Sequence, residues 1–293
     1  MLFRSEVALE LPGSQVGVER VDIAAQLLDL RICDARRQDR AGQALQLLAD
    51  DVHLPRLGLA DHAHEGAARL PARYRDPDNF WTAHNEFVFT PAYNSDLIKE
   101  EDAPKSLDDL LDARWKGRMV WSAQPIASGA PGFIGLVLAA RGETAGMDFL
   151  RKLALQGIAA PKVSARQVLD QVIAGEYALG PHTFNHQSVI SAAKGAPVAW
   201  IPASPAMAVL SVGAIVRGGP NPNAAKLLAD FLFSDEGQKI FRDSDYIPVD
   251  PSVPPRAPAL RPDGVNFRAI YMTPEDIEAG LPRWTRLYAD LFR

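Results

Sequence analysis

Hydrophobic and polar positions along the chain fall into segments of two periods. Phe80-Trp-Thr-Ala-His-Asn-Glu-Phe-Val-Phe-Thr alternates imperfectly and is rich in aromatics, which predicts one or two strands. Ser106-Leu-Asp-Asp-Leu-Leu predicts a short helix with Ser106 as N-cap and Asp109 three residues on. Arg118-Met-Val-Trp-Ser predicts a short buried strand. Residues 131–140 and 144–155 carry helical periodicity and are separated by Arg141-Gly-Glu. Ser164-Ala-Arg-Gln is a capping box, followed by a stripe of Val168, Leu169, Val172 and Ile173. Tyr177-Ala-Leu-Gly predicts a strand, 185–194 a helix, and Val198-Ala-Trp-Ile a strand.

Residues 208–216 predict a further apolar strand. Asn221-Pro opens a helix with Pro at its first position and Leu227, Leu228, Phe231 and Leu232 on the inner face. Ser234-Asp-Glu opens another helix. The Pro-rich stretch 248–262 predicts an extended surface strap. Thr273-Pro-Glu-Asp caps a last helix with Ile277, Leu281, Trp284, Tyr288 and Leu291 on one face, kinked or restarted at Pro282. Strands alternating with helices predict an α/β fold with a largely parallel sheet.

Residues 1–70 differ from the rest. They hold no Trp, Tyr, Lys or Asn, and Phe3 is their one Phe. Helical periodicity survives in Ile23-Ala-Ala-Gln-Leu-Leu-Asp-Leu and Ala44-Leu-Gln-Leu-Leu. Two readings stay open: a helical, Ala-rich subdomain, or a stretch that does not encode the native N-terminus. The absent residue types are largely those with A/T-rich codons, which an out-of-frame reading of a GC-rich gene would avoid.

Composition narrows the function. A net charge of −5 offers no basic footprint for nucleic acid. The single cysteine, Cys33, excludes an intramolecular disulfide and a multi-cysteine metal site. No run of about 18 apolar residues predicts a membrane span, and no apolar stretch after Met1 reads as a secretory signal. G-x-S-x-G, P-loop and G-x-G-x-x-G motifs are absent from the sequence.

Five segments carry a family resemblance: Tyr74-Arg-Asp-Pro-Asp; Ala92-Tyr-Asn-Ser-Asp-Leu-Ile; Ala103-Pro-Lys-Ser-Leu-Asp-Asp-Leu-Leu-Asp-Ala-Arg-Trp-Lys-Gly-Arg; Ala127-Ser-Gly; and Pro220-Asn-Pro-Asn-Ala-Ala-Lys-Leu-Leu-Ala-Asp-Phe-Leu-Phe-Ser-Asp-Glu-Gly-Gln. In order and spacing, residues 71–293 resemble the iron(III)/thiamine/phosphonate-type extracellular solute-binding proteins of ABC importers. The resemblance implies an α/β, two-lobed type 2 periplasmic-binding architecture whose N-terminal part of lobe one is atypical or incomplete over residues 1–70. Lobe one is then 71–92 and 206–293 with the hinge strands, and lobe two is 93–205, with crossings near 87–91 and 206–212. A small anionic or polar organic ligand is expected in the interlobe cleft, where its binding favours closure. The expected partner is an inner-membrane ABC permease. The protein is expected to be a periplasmic monomer that needs no cofactor.

Candidate site residues follow, each beside a plainer role. Gln124-Pro-Ile-Ala-Ser-Gly precedes a helix whose free backbone N–H groups and dipole suit an anion. Ser128 would add a hydroxyl and Gly129 a close backbone approach; the plainer role is a turn with Ser128 as N-cap. His182-Thr-Phe-Asn-His follows a strand at a strand-to-helix turn, where ligands of α/β sheets gather. His182, Thr183 and Asn185 there serve either ligand contact or capping and packing. Iron-binding relatives carry paired tyrosines at or near Thr183 and Phe184, so the resemblance argues against tyrosine-ligated iron, and no metal is expected. Tyr93, beside Asn94, is either a pocket wall or a hinge residue. Ser204 precedes the return crossing. His84 and Glu86, two apart, face either the cleft or solvent. The alternatives are a thiaminase-like enzyme on the same fold, using Cys33, or a truncated or frameshifted binding protein with impaired binding.

Overall fold

The computed structural model describes residues 69–216, 220–262 and 266–292, all within one compact unit. The readings made on residues 1–68, including the two helical patterns and Cys33, lie outside the described residues.

Strand β1, Thr82–Asn94, organises the sheet, and the aromatic run that predicted one or two strands forms this single 13-residue element. Strands β2 (Leu179–Phe184), β3 (Val198–Trp200), β4 (Ala206–Gly213) and β5 (Ile247–Pro248) all pair with it antiparallel. β6 (Ala269–Met272) joins β4 in parallel. The pairing changes along β1: residues from Thr82 to Phe89 pair with β4, and Phe89 to Asn94 pair with β2 and β3. The largely parallel sheet expected from strand–helix alternation is therefore corrected. Among the described residues the parallel pairings are β4–β6 and the single bridges Met119↔Leu179 and Val120↔Ala159. Element order fixes which strands alternate with helices; it does not fix the direction in which each returns along β1. The stretch 118–122 correspondingly supplies bridges rather than a full strand.

Six α-helices are described: α1 (Ala130–Ala154), α2 (Ala165–Ile173), α3 (Asn185–Ala192), α4 (Pro222–Phe233), α5 (Asp235–Asp243) and α6 (Pro274–Phe292). α1 breaks at Gly142, where φ is 72°, so the two helices expected around Arg141-Gly-Glu meet at a kink that glycine tolerates. α2 starts with the capping box read at Ser164 and Gln167. The Ser106 signal gives only a 3-10 turn, Asp108–Leu111, with Asp109 N–H donating to Ser106 Oγ at 3.4 Å. α6 begins with a reciprocal bond pair between Thr273 and Asp276 and runs through Pro282 as one helix.

The main core lies between β1, α1 and α6, around fully buried Trp121 and Phe133, whose rings are 5.7 Å apart. Trp284 of α6 wedges between helices: a Cβ on Gly135 or Gly280 would run into its indole. Phe292 meets Trp121 edge-on at 4.8 Å. α4 departs from its expected packing. Leu227 and Leu228, read as inner-face residues, are 60% and 44% exposed, and only Phe233 of that helix is buried. The helical stripe is present, but burial needs a facing element, which the period alone does not supply. The Pro-rich strap is also more than a surface feature, since Val249, Val253 and Leu260 are buried.

Candidate functional site

The loop 124–129 leads into α1 through a tightly bonded turn. Ala130 N–H donates to Ser122 O at 2.8 Å, Gly129 N–H to Ile126 O at 3.0 Å and Gly132 N–H to Gly129 O at 3.0 Å. Pro131 has no N–H to offer. The first-turn donors expected to be free are thus largely engaged or missing. Ser128 is the exception: half-buried, with nothing among the described residues accepting from its N–H or its hydroxyl. The N-cap is Gly129 rather than Ser128. Its lack of a Cβ is required, because a side chain there would collide with the Gln124 carbonyl.

His182 ties this loop to β1. Its Nε2 lies 3.0 Å from Ala127 O, and its ring stacks on Phe89 at 4.4 Å. A carbonyl can only accept, so Nε2 carries the proton. Complete burial pushes the imidazole pKa down to about 4, outweighing the bond to Ala127, and the ring is neutral at pH 7. His186, on the first turn of α3, is also pushed down to about 4 by burial. It stacks on Phe87 at 5.3 Å and meets Tyr246 at 5.1 Å. Phe184 completes a row of rings, 4.4 Å from Phe89 and 5.2 Å from Phe87. Phe87, Phe184 and Tyr246 are only half-buried.

The other residues singled out from sequence are placed as follows. Thr183 is fully buried and its Oγ1 donates to Thr90 O at 3.1 Å, pinning β2 to β1. Asn185 is fully buried; its Nδ2 donates to Leu260 O at 2.9 Å, while its Oδ1 has no partner among the described residues. Ser204 Oγ accepts from Arg268 N–H at 2.8 Å beside the cis Ser204–Pro205 bond. Tyr93 lines a cavity with Glu100, Lys105 and Trp200 that shares no lining residue with the Ser128 loop.

His84 and Glu86 do not form the pair their spacing suggested. A register shift between Ala83 and Asn85 breaks the two-residue alternation at His84. His84 stacks on Phe241 at 5.0 Å. Glu86 is fully buried and accepts from Tyr74 Oη at 3.0 Å; burial pushes its carboxyl pKa up. Sequence reasoning did not single out Phe87 and Tyr246, which pack on His186. Phe87 sat in the predicted crossing strand and was legible there, whereas Tyr246 belongs to no motif. Among the described residues no three His, Cys, Asp or Glu side chains converge as a metal site would require. No helix of the described residues is long and apolar enough to cross a membrane.

A six-stranded mixed sheet threaded by one long strand and flanked by helices, with a helix-initiating loop held against that strand, defines a periplasmic-binding fold of type 2. Residues 58–267 match the model of the bacterial extracellular solute-binding protein family, and the chain belongs to that family. It is similar to a Salmonella paratyphi A protein named as a candidate 2-aminoethylphosphonate-binding periplasmic protein, at 24% identity over 80% of this chain and 69% of that one. Among solved structures it resembles AfuA of Actinobacillus pleuropneumoniae with fructose-6-phosphate bound (TM-score 0.66, 20% identity, 80% of this chain and 76% of that one). It also resembles iron-bound HitA of Pseudomonas aeruginosa (TM-score 0.61, 21% identity, 76% and 73%).

Proposed function

We propose that this chain binds a small anionic organic solute, of the phosphonate or phosphate-ester kind, at the Ser128 loop. The observation that carries the proposal is the half-buried Ser128, with its N–H and hydroxyl both unengaged at the start of α1. A helix start favours negative charge through its dipole, and here the Ser128 N–H and hydroxyl supply the free donors that the first turn itself does not. Gly129 makes room for the Gln124 carbonyl that closes the turn behind Ser128, and His182 holds Ala127 and so positions the loop. Phe87, Phe184 and Tyr246 supply an uncharged aromatic surface for the organic part of the ligand. Thr183 and Asn185 hold the strand and helix that carry Phe184, and Ser204 serves the return to β4. The relatives named for a phosphonate and solved with a sugar phosphate support this ligand class.

Iron is disfavoured by chemistry. Thr183 and Phe184 offer no phenolate, His182 commits its Nε2 to the Ala127 carbonyl, and both nearby imidazoles are packed against aromatic rings. We read the lobes as 71–92 with 206–293, and 93–205, closing on the ligand across the hand-over at Phe89. The chain then acts as a periplasmic monomer that delivers ligand to an ABC permease, without turning it over and without nucleic acid. Isothermal titration of the full chain against 2-aminoethylphosphonate, fructose-6-phosphate and ferric citrate tests this. Saturable binding of an organophosphorus compound, with none of iron, is expected. A folded protein that binds none of them, or binds iron alone, contradicts it.

A further inference from the structure

A cavity of about 550 Å³ opens beside the far end of β1. Its walls include the rings of Tyr93 and Trp200, and Glu100, Glu101 and Lys105 bring the charge. The volume falls in the range that holds small molecules. Tyr93 is the informative residue. The residue as a whole is only 5% exposed, and its hydroxyl makes no hydrogen bond among the described residues while the ring lines this space. The hydroxyl is thus the part of an otherwise buried side chain that a molecule in this space can reach. Burial, with the negative Glu100 nearby, also pushes the Tyr93 phenol above its ordinary pKa, so the group stays a protonated hydroxyl able to donate or accept.

The charges are equally unbalanced. Glu100 and Glu101 are exposed on a 3-10 turn, and neither they nor Lys105 forms an ion pair among the described residues. Two carboxylates against one ammonium leave a single negative charge in excess at the cavity. Aromatic walls with excess negative charge attract cations, through the ring faces and through the carboxylates.

We infer that this cavity is a binding site for a small primary organic ammonium compound, distinct from the Ser128 site. The ammonium group donates to a Glu100 or Glu101 carboxylate and to Tyr93 Oη, and its hydrocarbon part lies against Trp200. The cavity shares no residue with the anion site, so the inference stands or falls independently of the proposed function.

The test uses the full chain and 2-phenylethylammonium chloride, with 2-phenylethanol as the neutral analogue and sodium chloride matching ionic strength. The indole N–H resonance of Trp200, assigned by its loss in Trp200→Phe, reports binding. The amine is expected to shift it saturably with a dissociation constant of about 1 mM or tighter. The alcohol should leave it in place. In Glu100→Gln/Glu101→Gln, whose altered side chains are exposed and leave the thermal midpoint unchanged, amine binding should weaken at least about tenfold. Tyr93→Phe should weaken it less. A shift that does not saturate, equal effects of amine and alcohol, or full binding by the double variant overturns the inference.

Discussion

The two ends of β1 live in unequal surroundings. From Phe89 to Asn94 the strand belongs to or borders the main core, where Trp121, Phe133, Leu150 and Leu153 are completely buried and α6 closes over α1. From Thr82 to Glu86 it faces smaller clusters, and the neighbouring α4 and α5 leave Leu227, Leu228 and Ile240 exposed. Near the first end, His84 Nδ1, Asn85 Nδ2 and Glu86 Oε1 are buried without a partner among the described residues. Polar satisfaction does not separate the two ends, since Thr90 Oγ1, Trp115 Nε1 and Trp121 Nε1 on the packed side are also buried without a partner among the described residues. The difference in packing teaches where the Ser128 loop draws its rigidity: from the Phe89–His182–Ala127 chain of contacts, anchored in the better-packed region.

Breaking the packed side should cost most. Phe133→Ala removes a fully buried ring that touches Trp121 and His182, and a loss of about 3–5 kcal/mol in denaturant-derived stability is expected. Next comes acid. The His182 imidazole titrates at about 4 when folded and near 6.5 when unfolded. Between those values the unfolded chain binds the extra proton, so stability is full above about pH 6.5 and falls as pH drops toward 4. The loss from this residue is about 3 kcal/mol, and His182→Leu should flatten that part of the pH–stability curve.

The looser side should respond with the opposite sign. Glu86 has a raised folded pKa because of burial. The folded chain therefore holds its proton longer, and stability contributed by this group is present at low pH and lost as pH rises past the ordinary carboxyl value. Glu86→Gln keeps an acceptor for Tyr74 and removes the buried charge. It should raise denaturant-derived stability more at neutral pH than at pH 4, by an amount on the order of 1 kcal/mol. The smallest effect is expected at Leu227→Lys: with the side chain 60% exposed, stability should stay within about 0.5 kcal/mol of the parent. A loss several times larger would mean that Leu227 is buried in solution and would erase the contrast between the two ends.

Much of this was legible in local sequence. The capping boxes at Ser164 and Thr273, the glycine break at Gly142 and the Pro222 start all act within a few residues, and the structure holds each of them. What local signals could not carry was the partner across space. The direction of β2, β3 and β4 along β1 depends on long-range return, and Leu227 and Leu228 needed a facing element to become core. The site was legible to the same extent. Ala127-Ser-Gly was visible as a helix start, but that Ala130 and Gly132 spend their N–H groups internally appears only once Ser122 and Gly129 are in place. Tyr93 was visible as a pocket residue, yet its pocket is formed by residues 100–105 and 200–202, which the crossing-strand argument did not bring to it.

The central claim, an anion held at Ser128, is tested most directly by following the Ser128 backbone amide resonance of the full chain during titration with 2-aminoethylphosphonate. The account predicts a saturable downfield shift of that amide, with Tyr93 and Trp200 unaffected by the phosphonate group alone, since methylphosphonate should reproduce the Ser128 shift. A folded protein in which the Ser128 amide stays still while other resonances report binding would contradict it and place the solute elsewhere.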